Sequence, residues 1–185
     1  MDDRFLSAFT EPTREKILGR FVYPFCLKYR VRLCAIGSPL MTPNAEVQPI
    51  DLIIAMQICA EETIGKKLGW FDRYRLKKMQ KDRIYFLETY QKFIDYVQIK
   101  NQPKFWERNK KSDSAGAGVP WELMVIANLM QAGVQEERAW HMPECQAIWL
   151  NSAIMTTKGV ELNVLSTEEE EFLESQKQPT ENQNL

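Results

Sequence analysis

The one histidine of this 185-residue chain, His141, has Glu144 and Cys145 three and four residues further on. Histidine and cysteine at that spacing could begin a zinc site. Such a site needs about four ligands, and Pro143 interrupts the helix that would carry both on one face. A hydrolytic triad would need His141 oriented by a carboxylate and facing a nucleophile. Ser152 and Glu144 are near in sequence, but no nucleophile elbow frames them. Neither glycine-rich phosphate loop occurs, and Gly116-Ala117-Gly118 is too short to cradle a phosphate. Glu136-Glu137 and the run Glu168 to Glu171 suit solvated faces better than acid–base pairs. The expectation is a protein that is not an enzyme, with no cofactor and no metal.

A second group could do chemistry of another kind. Lys66, Lys67, Arg73, Arg75, Lys77, Lys78, Lys81 and Arg83 are interleaved with Trp70, Phe71 and Tyr74. Clustered cations neutralise phosphates, so a nucleic-acid site is one reading and a solvated or protein-facing basic face the other. The net charge of −1 and pI near 6.0 conceal this segment. Residues 64–111 hold fourteen basic residues against five acids, and residues 112–185 hold three against twelve. Opposed charges of this kind favour head-to-tail or partner-directed assembly.

The elements that must position these groups read as helices. A hydrophobic fraction of 44% with only eight glycines suits an all-α globular fold. Proline in the first turn and Gly19 at the end predict a short helix over Thr10 to Gly19, and Phe21 to Ile36 gives the next. Ile50 to Glu62 is almost wholly apolar, which predicts a buried hub, with a strand over Leu52 to Ile54 as the alternative. Lys66 to Lys100 reads as the longest helix. Leu76, Met79, Arg83, Phe86, Tyr90, Phe93 and Val97 form a heptad seam widened by Leu87 and Ile94. That face (76–97) either packs inside the protein's own bundle or pairs with a second copy or a partner helix.

The division predicted is a helical bundle over 1–100, a flexible linker over 101–118, a Trp-rich helical module over 119–174 and a disordered tail over 175–185. Cys26, Cys34, Cys59 and Cys145 lie in apolar runs without CxxC spacing and read as buried free thiols. The N-terminus is acidic, and no stretch reaches the ~18 apolar residues of a membrane span. A cytoplasmic protein is expected, with no membrane partner.

Val119 to Met155 holds three of the five tryptophans. Pro120, Gly133 and Pro143 punctuate it into three short helices. Val160, Leu162 and Val164 then alternate as an extended segment, and Ser166-Thr167 caps a helix opening with acids. Pro120-Trp121 opening a helix, Gly133 ending it, and Glu136-Glu137 leading to Trp140 and Met142-Pro143-Glu144 resemble the helical module of tail assembly chaperones from long-tailed bacteriophages and gene transfer agents. The resemblance implies binding without catalysis in the bacterial host cytoplasm, keeping a helical, tape-measure-type protein soluble. Trp121, Met124, Trp140, Met142 and Trp149 are the expected partner surface, because aromatics and methionine are enriched in interface cores. The same five could simply fill the module's own core. A nucleic-acid-binding protein, or a structural virion component such as a head–tail connector, is the alternative.

Overall fold

The computed structural model describes residues 3–10, 15–61, 68–97, 102–105 and 118–177. Among these the chain is predominantly helical. Helices α1 (Asp3–Thr10), α2 (Leu27–Ala35), α3 (Pro49–Cys59), α4 (Trp70–Lys81), α5 (Arg83–Val97), α6 (Trp121–Gln131), α7 (Glu136–His141), α8 (Glu144–Thr157) and α9 (Thr167–Lys177) are joined by one hairpin, β1 (Glu15–Ile17) with β2 (Arg20–Val22). No helix among the described residues is long and apolar enough to cross a membrane.

The hairpin corrects the helix expected over Thr10 to Gly19. Thr10 ends a helix instead of starting one, and Leu18 and Gly19 both take positive φ, 48° and 69°. A two-residue turn of that kind matches the twist of paired strands. Ile17 and Val22 point inward from either strand while Lys16 and Phe21 face out, so the period is two and not 3.6. Gly19 is also a close approach, since a Cβ there would lie 2.5 Å from Arg75 Nη2. The second helix accordingly begins at Leu27 rather than Phe21. Residues 23–25 connect strand and helix, and the Tyr23 N–H donates to the Cys59 carbonyl at 3.2 Å.

The single long helix expected over Lys66 to Lys100 is two helices. Asp82 leaves the helical region (φ −118°, ψ 98°), and its carboxylate accepts the Tyr85 N–H at 3.0 Å. An aspartate in that role caps the start of a new helix. Arg83, the discordant member of the heptad seam, sits at the break and is exposed, as is Leu87. Met79 and Phe93 are buried in the N-terminal core, with Phe86, Tyr90 and Val97 packed against it. Much of the seam is thus covered from within the chain.

α3 is the hub that its apolar sequence predicts, and it is helical through Leu52–Ile54. Leu52, Ile53, Ala55, Met56, Ile58 and Cys59 are all buried, facing Val22, Phe25, Tyr29, Leu33 and Phe93. A second core gathers Val125, Ile126, Leu129, Ala139, Met142 and Ala147, together with Leu27 of α2. Leu27 and Tyr29 point to opposite sides of α2, so that helix is a wall shared by both cores. Backbone links reinforce the seam: Cys26 pairs with Pro143, and the Glu144 N–H donates to the Phe25 carbonyl at 2.8 Å.

Segment 102–105, near the start of the linker expected over 101–118, is bound to the C-terminal half. Phe105 bridges Val164, and the Leu165 N–H donates to the Lys104 carbonyl at 2.7 Å. Residues 106–117 lie outside the described residues. At the other end α9 continues to Lys177, past the expected start of the tail, and the remainder of the tail is outside the described residues. Cys26, Cys59 and Cys145 are buried as expected, whereas Cys34 is exposed because it falls on the outer face of α2.

Candidate functional site

α6 divides its side chains between two tasks. Val125, Ile126 and Leu129 enter the second core, while Trp121, Met124 and Asn128, spaced three and four residues apart, line a groove against α8. From α8 come Ile148, Asn151, Ser152 and Met155, and Pro103, Phe105 and Leu162 form the rim. The groove holds about 480 Å³. Its walls are apolar, and the polar group on its floor is satisfied: Asn128 Nδ2 donates to Asn151 Oδ1 at 3.0 Å. Apolar walls with a few fixed polar groups are the common make-up of binding sites.

One tryptophan in this groove is tied to the N-terminal half. The Arg30 guanidinium lies between two rings, 5.4 Å from the Phe25 centroid and 5.6 Å from that of Trp121. Two parallel hydrogen bonds of 2.8 Å join it to both oxygens of Glu144, which also accepts from Gln102 at 3.1 Å. Glu144 is 1% exposed. Its burial pushes the carboxyl pKa up, and the Arg30 bonds pull it back in part. A planar cation held in this way is a fixed buttress for an aromatic ring.

The five expected partner residues do not share one surface. Trp121 and Met124 are in the groove, 40% and 48% exposed. Met142 is buried in the second core. Trp149 is half-buried with its ring edge-on to Phe5 of α1, 5.6 Å between centroids. Trp140 lines a separate hollow with Lys28, Val31, Arg32 and His141. Helical spacing gives the face a residue takes but not what folds over that face. Phe105, Asn128 and Met155 belong to the groove and were not among the expected residues. An amide inside the apolar run Leu123 to Met130 was the available signal for Asn128; none marked Phe105.

His141 meets Lys28 and Glu61 rather than the Ser152, Glu144 or Cys145 that its sequence neighbourhood offered. Its Nδ1 lies 2.7 Å from the Glu137 carbonyl, and its Nε2 faces both Lys28 Nζ at 2.5 Å and the Glu61 carboxylate at 3.3 Å. Glu61 accepts from the same ammonium at 3.0 Å, and the Lys28 bond holds its carboxyl below the usual value. Cys145 is buried beside the Ala8 carbonyl and does not join His141. Burial raises the thiol of Cys26 to about 11 and that of Cys59 to about 12, so both are protonated near neutrality. Ser152 Oγ donates to the Ile148 carbonyl of its own helix. Among the described residues, no three His, Cys, Asp or Glu side chains stand close enough to hold a metal ion.

Of the basic set, Arg73, Lys77, Lys78, Lys81 and Arg83 are exposed along α4 and the start of α5. Arg75 is turned toward the buried Asp72, 3.7 Å away, while Lys66 and Lys67 lie outside the described residues. No family model matches the chain, and neither curated proteins nor solved structures provide a match.

Proposed function

We propose that the protein is a binding protein without catalysis, taking apolar side chains of a helical partner into the groove between α6 and α8. The observation that carries this reading is the exposure of Trp121 and Met124 in an apolar concavity whose own polar floor is already satisfied. A groove of this size has room for a few side chains of one helical stripe, which is the helix-in-groove mode of recognition. Methionine at the mouth adapts to more than one side chain, and Trp121 on its Arg30 buttress supplies the rigid anchor.

The resemblance to tail assembly chaperones supplies the partner class: a long helical protein of tape-measure type, whose exposed apolar stripes aggregate until covered. In this reading the protein acts in the bacterial host cytoplasm as an assembly chaperone or adaptor in phage-tail morphogenesis. Co-expression with the tape-measure protein of the same genome is the test. A soluble complex is the expected result, with Met124→Glu abolishing it and Trp121→Ala weakening it by about 2 kcal/mol, as removal of an interface anchor does. No complex, or a complex indifferent to both substitutions, sinks the reading.

A further inference from the structure

We propose that α4 carries a second binding surface, for single-stranded nucleic acid, apart from the groove. The first five residues of α4 present Trp70, Phe71 and Tyr74 to solvent, 72%, 64% and 59% exposed. These rings are ordered against one another. Trp70 meets Phe71 edge-on at 4.9 Å and lies nearly parallel to Tyr74, at 6.3 Å and 19° between planes. Rings that already pack on one another give up less freedom when a base stacks on them than isolated rings would.

Cations continue the same face. Arg73, Lys77 and Lys81 follow Trp70 at three, seven and eleven residues, positions that stay on one side of a helix, and all three are exposed. Eleven residues of helix cover roughly 16 Å, enough for a few successive phosphates to pass over the row. The one acid in α4, Asp72, is withdrawn from this face. It is 2% exposed and bound by Arg20 at 2.7 and 2.8 Å and by Gln57 at 3.3 Å, with Arg75 at 3.7 Å. Beyond the helix, Asp82 is occupied in capping α5. The surface left to solvent is therefore aromatic and positive with no carboxylate of its own helix to repel a phosphate.

Two features select the class of partner. Exposed ring faces are useful to unpaired bases, whose faces are free, and not to a duplex, whose bases are already stacked. An anionic bilayer also attracts lysine and tryptophan, but an interfacial helix needs an apolar face along its whole length. Below its first turn, α4 turns Met79 into the core and shows lysines outside.

Fluorescence anisotropy of the full chain with a labelled oligothymidylate, a hairpin duplex and phosphatidylserine vesicles tests this. Binding to the single strand is expected to exceed binding to the duplex and to weaken steeply with salt. Trp70→Ala and Tyr74→Ala are each expected to weaken it about tenfold or more. Lys77→Ala is expected to lower the logarithmic salt slope by about one. All three positions are exposed, so folding is preserved and circular dichroism checks it. Equal binding to duplex, binding to vesicles alone, no binding at low salt, or indifference to Trp70→Ala would each overturn the proposal.

Discussion

Trp121 and Trp70 are each the first residue of a helix, and each of those helices has a buried acid in its first turn, Glu122 in α6 and Asp72 in α4. From that common start they part. Trp121 stands in a concavity among Met124, Phe105 and Met155, with a guanidinium behind its ring. Trp70 stands at 72% exposure beside other exposed rings, followed along the helix by cations. The residue type sets neither role. The groove offers shape and an apolar lining, which suits aliphatic side chains; the helix turn offers bare ring faces and positive charge, which suits bases and phosphates.

Each region rests on a buried carboxylate held by arginine, Glu144 by Arg30 and Asp72 by Arg20. Removing one partner of such a pair leaves an uncompensated charge. Glu144→Ala is expected to cost about 3 kcal/mol, read as a lowered urea midpoint at unchanged slope. It also frees Arg30 from its place behind Trp121, so groove binding falls while the α4 surface is untouched. Asp72→Ala is the mirror experiment, expected to disturb α4 and spare the groove. A Glu144→Ala protein within about 1 kcal/mol of the parent would mean that the buttress contributes little and that the two regions differ less than their surroundings suggest.

The seam between the regions supplies the next effect. Cys26 lies where the chain pairs with Pro143, and burial raises its thiol from 9.0 to about 11. A group raised in the folded state stays protonated there after the unfolded chain has lost its proton. Its stabilisation is complete below pH 9.0 and is lost as pH rises through about 11. The loss proceeds at up to about 1.4 kcal/mol per pH unit and amounts to roughly 2 kcal/mol near the upper value. Cys59, raised to about 12, acts with the same sign, as do Tyr29 and Tyr96, both raised by burial. Cys26→Ala is expected to make the alkaline decline shallower without abolishing it. Unfolding midpoints between pH 8 and 11 measure this, and an unchanged decline would place the alkaline weak point away from the seam.

The parts of this fold that could be read from the sequence are those governed by local chemistry. An unbroken apolar run gave α3 its place as hub, proline and Gly133 (φ 92°) punctuated α6 to α8, and Ser166 marked the start of α9. The parts that could not be read have identifiable physical causes. Leu18 at positive φ carries no turn signature, so the hairpin was hidden behind a plausible helix. The heptad spacing runs straight through Asp82, because α4 and α5 both bury residues in the same core. The Arg30–Glu144 pair joins residues 114 apart in the chain, and no spacing rule reaches that far. Trp121 and Met124 were legible as candidates from their types. That they alone of the five line the groove depended on Phe105 and Leu162, which approach from outside helices α6 to α8.

The smallest effect tests the rim of the groove against its floor. Ser166 Oγ accepts the Glu169 N–H at 3.2 Å while Glu169 Oε2 accepts the Ser166 N–H at 2.9 Å, a reciprocal capping box. It fixes the first turn of α9, where Glu170 pairs with Arg4 at 3.0 Å and with Lys104. Lys104 precedes Phe105, so the box reaches the rim through the Glu170–Lys104 ion pair and the Phe105–Val164 bridge. Ser166→Ala is expected to cost about 1 kcal/mol in stability and to weaken groove binding about threefold, leaving nucleic-acid binding unchanged. Affinity measured by calorimetry alongside Trp121→Ala decides between two accounts. If Trp121→Ala is the larger loss, the rigid ring on its arginine is the anchor and the rim merely encloses it. Were Ser166→Ala to cost as much, the partner would be held by the rim, and ring environment would no longer be what separates Trp121 from Trp70.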